Sequence, residues 1–569
     1  MNKAIKILVS LMAGVAVLGC VVYFTQATLL RWFLQLPEYE TDRADPYTVA
    51  VKMRDGTALA THVYKPVGDG PWPTVLIRDP YSIMAIQCRL AARYGYACVH
   101  QDVRGRYGSQ GEWHPVIHER DDGLDTLDWL IQQPWQNGNI ATLGGSYVGL
   151  VQWAMIDAMP PEVKTVVADV SHGDWYKIIH RGGHMVQGVA SAWALSLRGS
   201  EHTLDDIAQQ RPMVDANTVF LDGKSAWYTD YVANPDKQGD YWQQPIYQTI
   251  RNAHKQASMP VLMSGGWHDF FIAGQYSVFE ALPRRKDSLL FIRNGSHGIS
   301  SIGESIRLAR LSLKLNFAWL AKHLKGRQGD GITTPGYLLQ DNADEALTHY
   351  DTWPDAASSL ELHLSKLDEA QACDGGALVQ RAPERVAQAS YRYEPSSPVP
   401  SLGGSYHFGA GVVEQGDENC ARQDVLSFGT EPFARGFKIL GSIAVQLAVS
   451  SDAADTAFTV KLQEKLSDGR VLNIRDDITS LSYDSRNLSK PDYVPGTTTE
   501  LQFKLTPIQW TVRPGSTLRL DISSSNFPFY NAHPNTLTPW YSTTETNIAN
   551  QTLIGGELSL PLQQSVASQ

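Results

Sequence analysis

Apolar and polar positions alternate along residues 47–65 around Asp55-Gly56, the pattern of two half-buried strands joined by a tight turn. Beyond this hairpin the pattern changes. Short, largely apolar runs recur at 74–77, 97–101, 139–143, 165–170, 261–263 and 289–292. Their length and flanking turn residues predict buried strands, with helical stretches between them. Strand-helix alternation predicts an α/β fold with a mostly parallel sheet and helices on both faces. Between Ser171 and Ser258 the alternation stops. Trp and Tyr recur there, from Trp175 and Tyr176 through Trp193, Trp227 and Tyr231 to Trp242 and Tyr247. An insertion at this point would cover the carboxyl ends of the strands, where ligands bind in such sheets. We read it as a helical cap lining the acyl pocket, with most aromatics packing the cap's own core. Arg181-Gly182-Gly183-His184 is expected to make a tight turn facing the site. Residues 303–325 read as one long helix.

From about residue 345 the chain turns to short alternating runs with frequent Gly, Pro and Ser, for example at 442–450, 457–462, 499–505 and 517–522. That texture predicts an all-β domain, with the linker near 351–358. The expected organisation is an N-terminal segment (1–36), an α/β domain in two parts (45–170 and 259–345) split by a cap (171–258), and a β domain (355–562). At 569 residues the chain is too long for one ordinary core. No internal repeat is visible.

Lys3 and Lys6 precede Ile7 to Phe24, eighteen residues without a charge. That length is at the threshold of a membrane span, and the preceding lysines favour keeping residues 1–6 in the cytoplasm and exporting the rest. An uncleaved membrane anchor is the favoured reading. A cleaved signal near Thr25-Gln26-Ala27 and lipidation at Cys20 are the alternatives; all three export the remainder. An exported chain can oxidise Cys373 and Cys420, which flank one stretch of the β domain, to a disulfide. Cys88 and Cys98 are expected as buried free thiols. No Cys/His spacing suggests zinc, so neither metal nor organic cofactor is expected. Net charge is −11 without a basic cluster, which makes nucleic acid an unsuitable partner. The sequence does not fix the oligomeric state.

The chemistry centres on Gly144-Gly145-Ser146-Tyr147-Val148-Gly149. An apolar run enters this hexapeptide and a second one leaves it, so Ser146 sits at a strand-to-helix turn. Such an elbow lifts Oγ clear of the backbone. The match to Gly-x-Ser-x-Gly is imperfect, because Val148 stands where the second glycine belongs. A serine hydroxyl needs a base to take its proton and a carboxylate to orient that base. Two later strands end in such groups: 259–263 runs through Gly265-Gly266-Trp267-His268 into Asp269, and 288–292 runs through Gly295-Ser296 into His297. The order Ser, Asp, His is that of α/β-hydrolases. Among sixteen histidines, His268 is the rival base, ranked below His297 because it shares the acid's turn and would leave on the opposite side. Two oxyanion donors are needed: the N–H of Tyr147, and a group on the loop after the strand at 74–77. That loop reads Arg78-Asp79-Pro80-Tyr81. Asp102 and Arg104 read as a charged pair bracing loops.

Together these segments resemble the serine hydrolases of the cocaine esterase and Xaa-Pro dipeptidyl-peptidase group, or CocE/NonD family, which includes α-amino-acid ester hydrolases. The matching pieces are Arg78-Asp79-Pro80-Tyr81, Gln101-Asp102-Val103-Arg104-Gly105-Arg106, the Ser146 hexapeptide, Gly265-Gly266-Trp267-His268-Asp269 and Gly295-Ser296-His297. Pro398 to Gly404, Val449 to Thr456 and Ser523 to Pro528 match in the C-terminal third. The resemblance covers roughly 45–560. It implies an α/β-hydrolase domain followed by a jelly-roll domain, with Ser146 as nucleophile, His297 as base, Asp269 as its orienter, and Tyr81 as a side-chain oxyanion donor beside the Tyr147 N–H. Its elbow is Gly-x-Ser-Tyr-x-Gly, so Val148 is no departure. His268, where relatives often carry Tyr, and Gly295-Ser296, in place of Trp-Ser, are departures. The expected activity is hydrolysis of a small-molecule ester or amide through an acyl-enzyme. A dipeptidyl or aminoacyl hydrolase is the alternative, with Asp174, Asp205, Asp206 or Asp230 as the possible anionic subsite; an inactive binding protein of the same fold is less favoured.

Overall fold

The computed structural model describes residues 38–41, 44–298, 302–328, 331–384, 387–405, 411–483 and 493–563, with the side chains of 302–309 left aside. The expected anchor, 1–36, lies outside the described residues. Among them, no helix is long and apolar enough to cross a membrane.

The hairpin at the start is β1 (Ala44–Lys52) and β2 (Ala58–Pro66). The apolar runs follow as β3 (Trp72–Asp79), β4 (Ala97–Asp102), β5 (Gln136–Gly145) and β6 (Val163–Asp169). A two-residue hairpin in the cap gives β7 (His180–Arg181) and β8 (His184–Met185). Then come β9 (Val261–His268), β10 (Leu289–Ser296), β11 (Gly336–Gln340) and β12 (Leu347–Tyr350). Apart from the cap hairpin they form one ten-stranded sheet in the order β1-β2-β4-β3-β5-β6-β9-β10-β11-β12. From β4 to β11 neighbouring strands run parallel. Val75, Leu76 and Ile77 are all buried, as continuous apolar strands must be when helices cover both faces. The sheet runs on to Tyr350, past the change of texture near 345.

This order positions the chemistry. β5, β6, β9 and β10 are consecutive neighbours, so their carboxyl ends share one edge. Ser146, Asp269 and His297 are the first residues beyond β5, β9 and β10.

The cap is helical apart from its hairpin. Its longest helix is Gln187–Arg198; Ala226–Ala233 meets it where Ser191 Oγ and the Tyr228 hydroxyl lie 2.8 Å apart, and Pro245–Ala253 closes the insertion. Trp227, Tyr228, Tyr231, Trp242 and Tyr247 are buried in a core that the cap shares with Tyr147 and Leu150 of the α/β domain and with Ile478 and Tyr530 of the β domain, so it is not the cap's own. The Arg181-Gly182-Gly183-His184 turn departs from expectation, because it faces the β domain rather than the site. Arg181 pairs with Asp477 at 2.6 and 2.7 Å, and Trp540 Nε1 donates to the Gly183 carbonyl at 3.1 Å. Both glycines have positive φ, and a Cβ on Gly182 would stand 2.2 Å from the Ile478 carbonyl oxygen. The missing side chains let the β domain close against the hairpin.

From Ser358 onward twelve strands form the all-β domain. Ala549–Leu562 is its spine, pairing with Ser358–Ser365, Ala389–Tyr393 and Ala444–Ser451. The domain docks beneath the ends of β9 and β10. Arg475 donates to the Trp267 carbonyl, and a methyl group at Gly411 would come within 3.0 Å of His268 Cβ and 3.3 Å of Ser296 Cβ.

Cys373 and Cys420 form the expected disulfide. Cys88 and Cys98 are not free thiols; they form a second one, with their Cα atoms 5.1 Å apart. The helix α1 (Ala85–Arg93) lies on β4, and that contact closes the ten residues between them. Asp102 and Arg104 are not a pair either. Arg104 binds Asp122 and Asp55, while Asp102 accepts from the Gly108 N–H. β4 ends at Asp102, so the two side chains leave in different directions.

Candidate active site

Ser146 has φ 57° and ψ −129°, a region costly for any residue but glycine, by roughly 1–3 kcal/mol. The surroundings hold it there. Ser146 N–H donates to the Asp169 carbonyl at 3.0 Å, and its own carbonyl accepts from Gly149 and Leu150. The two glycines that matter are those at either end of the hexapeptide. A Cβ on Gly144 would meet Val148 Cγ1 at 2.3 Å, and one on Gly149 would meet Ser171 Cβ at 2.5 Å. Position 148 has no such neighbour requiring glycine, which explains why valine is tolerated there.

His297 Nε2 lies 3.0 Å from Ser146 Oγ, and its Nδ1 lies 3.0 Å from Asp269 Oδ2. Asp269 is fully buried, and its other oxygen accepts from the Phe271 N–H at 2.8 Å. An ionised carboxylate can only accept, so Nδ1 carries the proton and Nε2 is left to accept from the serine. The Phe270 and Phe271 rings lie 4.2 and 5.5 Å from the imidazole and shield it. The rival His268 points into the β domain: its Nε2 lies 3.2 Å from the Ile474 carbonyl. Burial, then the nearby Arg475, holds its pKa well below the usual imidazole range.

Tyr147 begins the helix Tyr147–Trp153, so its N–H is among those a helix leaves without an internal partner. Its phenol points away from the serine, donating to Glu119 at 2.9 Å and accepting from the Val116 N–H at 2.8 Å. Burial pushes the Glu119 carboxyl up, against the pull of Arg78. Tyr81 sits in a loop organised by Asp79. That carboxylate accepts from the backbone N–H groups of Tyr81, of Ser82 at 2.8 Å and of Ile83 at 3.3 Å, and lies 3.0 Å from His100 Nε2. The Tyr81 hydroxyl accepts from Trp193 Nε1 at 2.9 Å.

Residues 55–299 match the family model of the X-Pro dipeptidyl-peptidase (S15 family), and residues 330–558 that of the X-Pro dipeptidyl-peptidase C-terminal non-catalytic domain. The chain is a serine hydrolase of this family. It is 27% identical over 532 residues to the cocaine esterase of Rhodococcus sp. (strain MB1 Bresler), spanning 86% of this chain and 92% of that one. It is 25% identical over 231 residues to the Xaa-Pro dipeptidyl-peptidase of Streptococcus pneumoniae (strain ATCC BAA-255 / R6), spanning 37% and 27%. Its fold is that of an aminopeptidase from the marine sediment archaeon Thaumarchaeota archaeon, with a TM-score of 0.77 at 22% identity over 92% of this chain and 97% of that one. An α-amino acid ester hydrolase superposes with a TM-score of 0.76 at 20% identity, over 93% and 98%.

In this S15-family hydrolase the cap adds an aromatic wall. Trp193 stacks on Tyr147 at 5.5 Å and meets Trp113, Trp175 and Trp227 at 5.7, 5.6 and 5.3 Å. The four cap acids are mostly spoken for. Asp174 faces Arg251 at 3.3 Å and Lys177 at 3.8 Å, Asp206 caps the helix Leu204–Ala208, and Asp230 faces His114 at 3.7 Å. Sequence reasoning found the three residues of the hydrogen-bonded chain but missed Asp79 and Trp193. An Asp just before Pro-Tyr is a turn signal that could have revealed the first; Trp193, one aromatic among many, had none.

Proposed function

We propose that this chain hydrolyses carboxylic esters with an apolar or aromatic acyl group through an acyl-enzyme on Ser146. The observation that carries this reading is the continuous hydrogen-bond chain from Ser146 Oγ through His297 to Asp269, 3.0 Å at each link. His297 takes the serine proton as Oγ attacks the carbonyl. The Tyr147 N–H and the Tyr81 hydroxyl stabilise the oxyanion. His297 returns the proton to the leaving alkoxide, and water, activated by the same imidazole, releases the acid. An ester is favoured over an aminoacyl amide because Asp174 faces Arg251 and Lys177 and Asp206 closes a capping box, which leaves Asp205 and the half-exposed Asp230 as the candidate cap acids for a substrate ammonium. The printed names of the relatives include both esterase and peptidase. A panel of p-nitrophenyl esters against aminoacyl p-nitroanilides decides between them: faster turnover of aminoacyl anilides than of benzoyl or butyryl esters would reverse the assignment.

The catalytic part is exported and tethered by residues 7–24. Two disulfides support the export, since they persist in oxidising compartments. The full chain is expected to stay with membranes after a carbonate wash. An N-terminus near Thr28 would show a cleaved signal, and a lipidated Cys20 a lipoprotein.

A further inference from the structure

On the β2–β4 side of the sheet, His62 and His100 are direct cross-strand partners, so both side chains leave the same face. Asp102 is two residues beyond His100 on the same strand and shares that face. The rings stack at 5.5 Å. Asp102 Oδ2 lies 3.7 Å from His62 Nε2, and Oδ1 lies 3.9 Å from His100 Nε2. Asp102 is only 2% exposed. Its Oδ2 accepts one backbone hydrogen bond, from Gly108 at 3.2 Å, and its Oδ1 has no hydrogen-bond partner among the described residues. A buried carboxylate oxygen left unmatched is costly; here Oδ1 faces His100, and Oδ2 faces His62.

We propose that His62, Asp102 and His100 form a binding site for a divalent transition ion of the zinc class, separate from the catalytic chain. Two imidazoles and a carboxylate are the borderline-soft donors such ions select, and three protein ligands leave a fourth position for water. Tetrahedral ligands at zinc stand ~3.3 Å apart, and one donor atom from each residue here lies within 4.8 Å of the others, so closure asks up to about 1.5 Å of side-chain movement, to which the part-exposed His62 can contribute. The outer ring is already present. His62 Nδ1 lies 2.9 Å from Thr48 Oγ1, which would accept from Nδ1–H once Nε2 binds the ion. His100 Nε2 now lies 3.0 Å from Asp79 Oδ2. On binding the ring takes the tautomer with its proton on Nδ1 and turns the Nε2 lone pair to the metal, while Asp79 keeps its three backbone donors. No linear motif announced this site, because strand pairing assembles it.

The test uses the untagged full chain in detergent, stripped with a chelator and titrated with Zn2+ and with Co2+ by calorimetry. We expect one ion per chain with a Kd below about 10 µM and a Co2+ visible spectrum of a four-coordinate site. His62→Ala and Asp102→Asn should each weaken binding by at least about 10-fold; His363→Ala, at a half-buried histidine of the β domain, should not. Wild-type protein that binds no stoichiometric ion overturns the proposal. So does undiminished binding in His62→Ala, or binding lost only in His297→Ala, which would place the ion at the catalytic chain. If Asp102→Asn fails to fold, His62→Ala alone decides.

Discussion

Trp193 Nε1 donates to the hydroxyl oxygen of Tyr81 at 2.9 Å, joining the cap to the loop after β3. An indole N–H can only donate, so the tyrosine oxygen must accept and its own proton is directed elsewhere. Accepting a hydrogen bond also strengthens a hydroxyl as a donor. Burial keeps the phenol protonated by raising its pKa, as an oxyanion donor requires. Tyr81→Phe should cost about 10²–10³-fold in kcat. Trp193→Phe, which keeps an aromatic ring but not the donor, should cost a smaller factor in kcat with KM little changed. A Tyr81→Phe loss below about threefold would mean that the tyrosine only packs.

Ser146→Ala and His297→Ala should each lower kcat roughly 10⁴-fold or more, and the double variant little further, since the groups act as one unit. Asp269→Asn should lose about 10⁴-fold with the fold intact, by releasing the imidazole to the wrong tautomer. A fluorophosphonate probe should label the wild type and not Ser146→Ala.

Acid should destabilise the fold through the cap and its borders. Burial holds His172, His180 and His184 near pKa 3, against about 6.5 in an unfolded chain. Between those values the unfolded state binds more protons, so stability rises with pH. Thermal scans should show Tm intact above pH 6.5 and falling steadily as pH drops from 6.5 toward 3. A flat profile across that window would contradict the buried neutral state.

The Cys373–Cys420 disulfide closes a span of 47 residues. Replacing both with serine should cost ~2–4 kcal/mol of stability, mostly by freeing the unfolded chain. Denaturant titration measures the loss. Turnover per folded molecule should not change, because the bond is far from Ser146 in the fold order, within the all-β domain.

What the sequence made legible follows from how local each signal is. Ser146, Asp269 and His297 each follow a strand directly, and a parallel sheet gathers strand ends. The glycines at 144 and 149 are needed within the same short turn. By contrast, the Cys88–Cys98 bond depends on how α1 lies across β4. The Arg181-Gly182-Gly183-His184 turn was recognised as a turn, but its direction is set by Ile478 and Tyr483, some 300 residues away. Trp193 gains its role from a partner 112 residues earlier, and the rotation of one cap helix decides which tryptophan that is. His62 and His100 meet only because strand register sets them opposite each other.

The close approach of Gly411 to His268 and Ser296 ties the catalytic base to a domain that contributes no reacting group. The residue just before His297 rests on a neighbour from the β domain, close enough that a single methyl group at 411 would crowd it. Gly411→Ala should therefore lower the hydrolysis rate by displacing Ser296 and its neighbour His297, and an unchanged rate would show that the contact yields without moving the base.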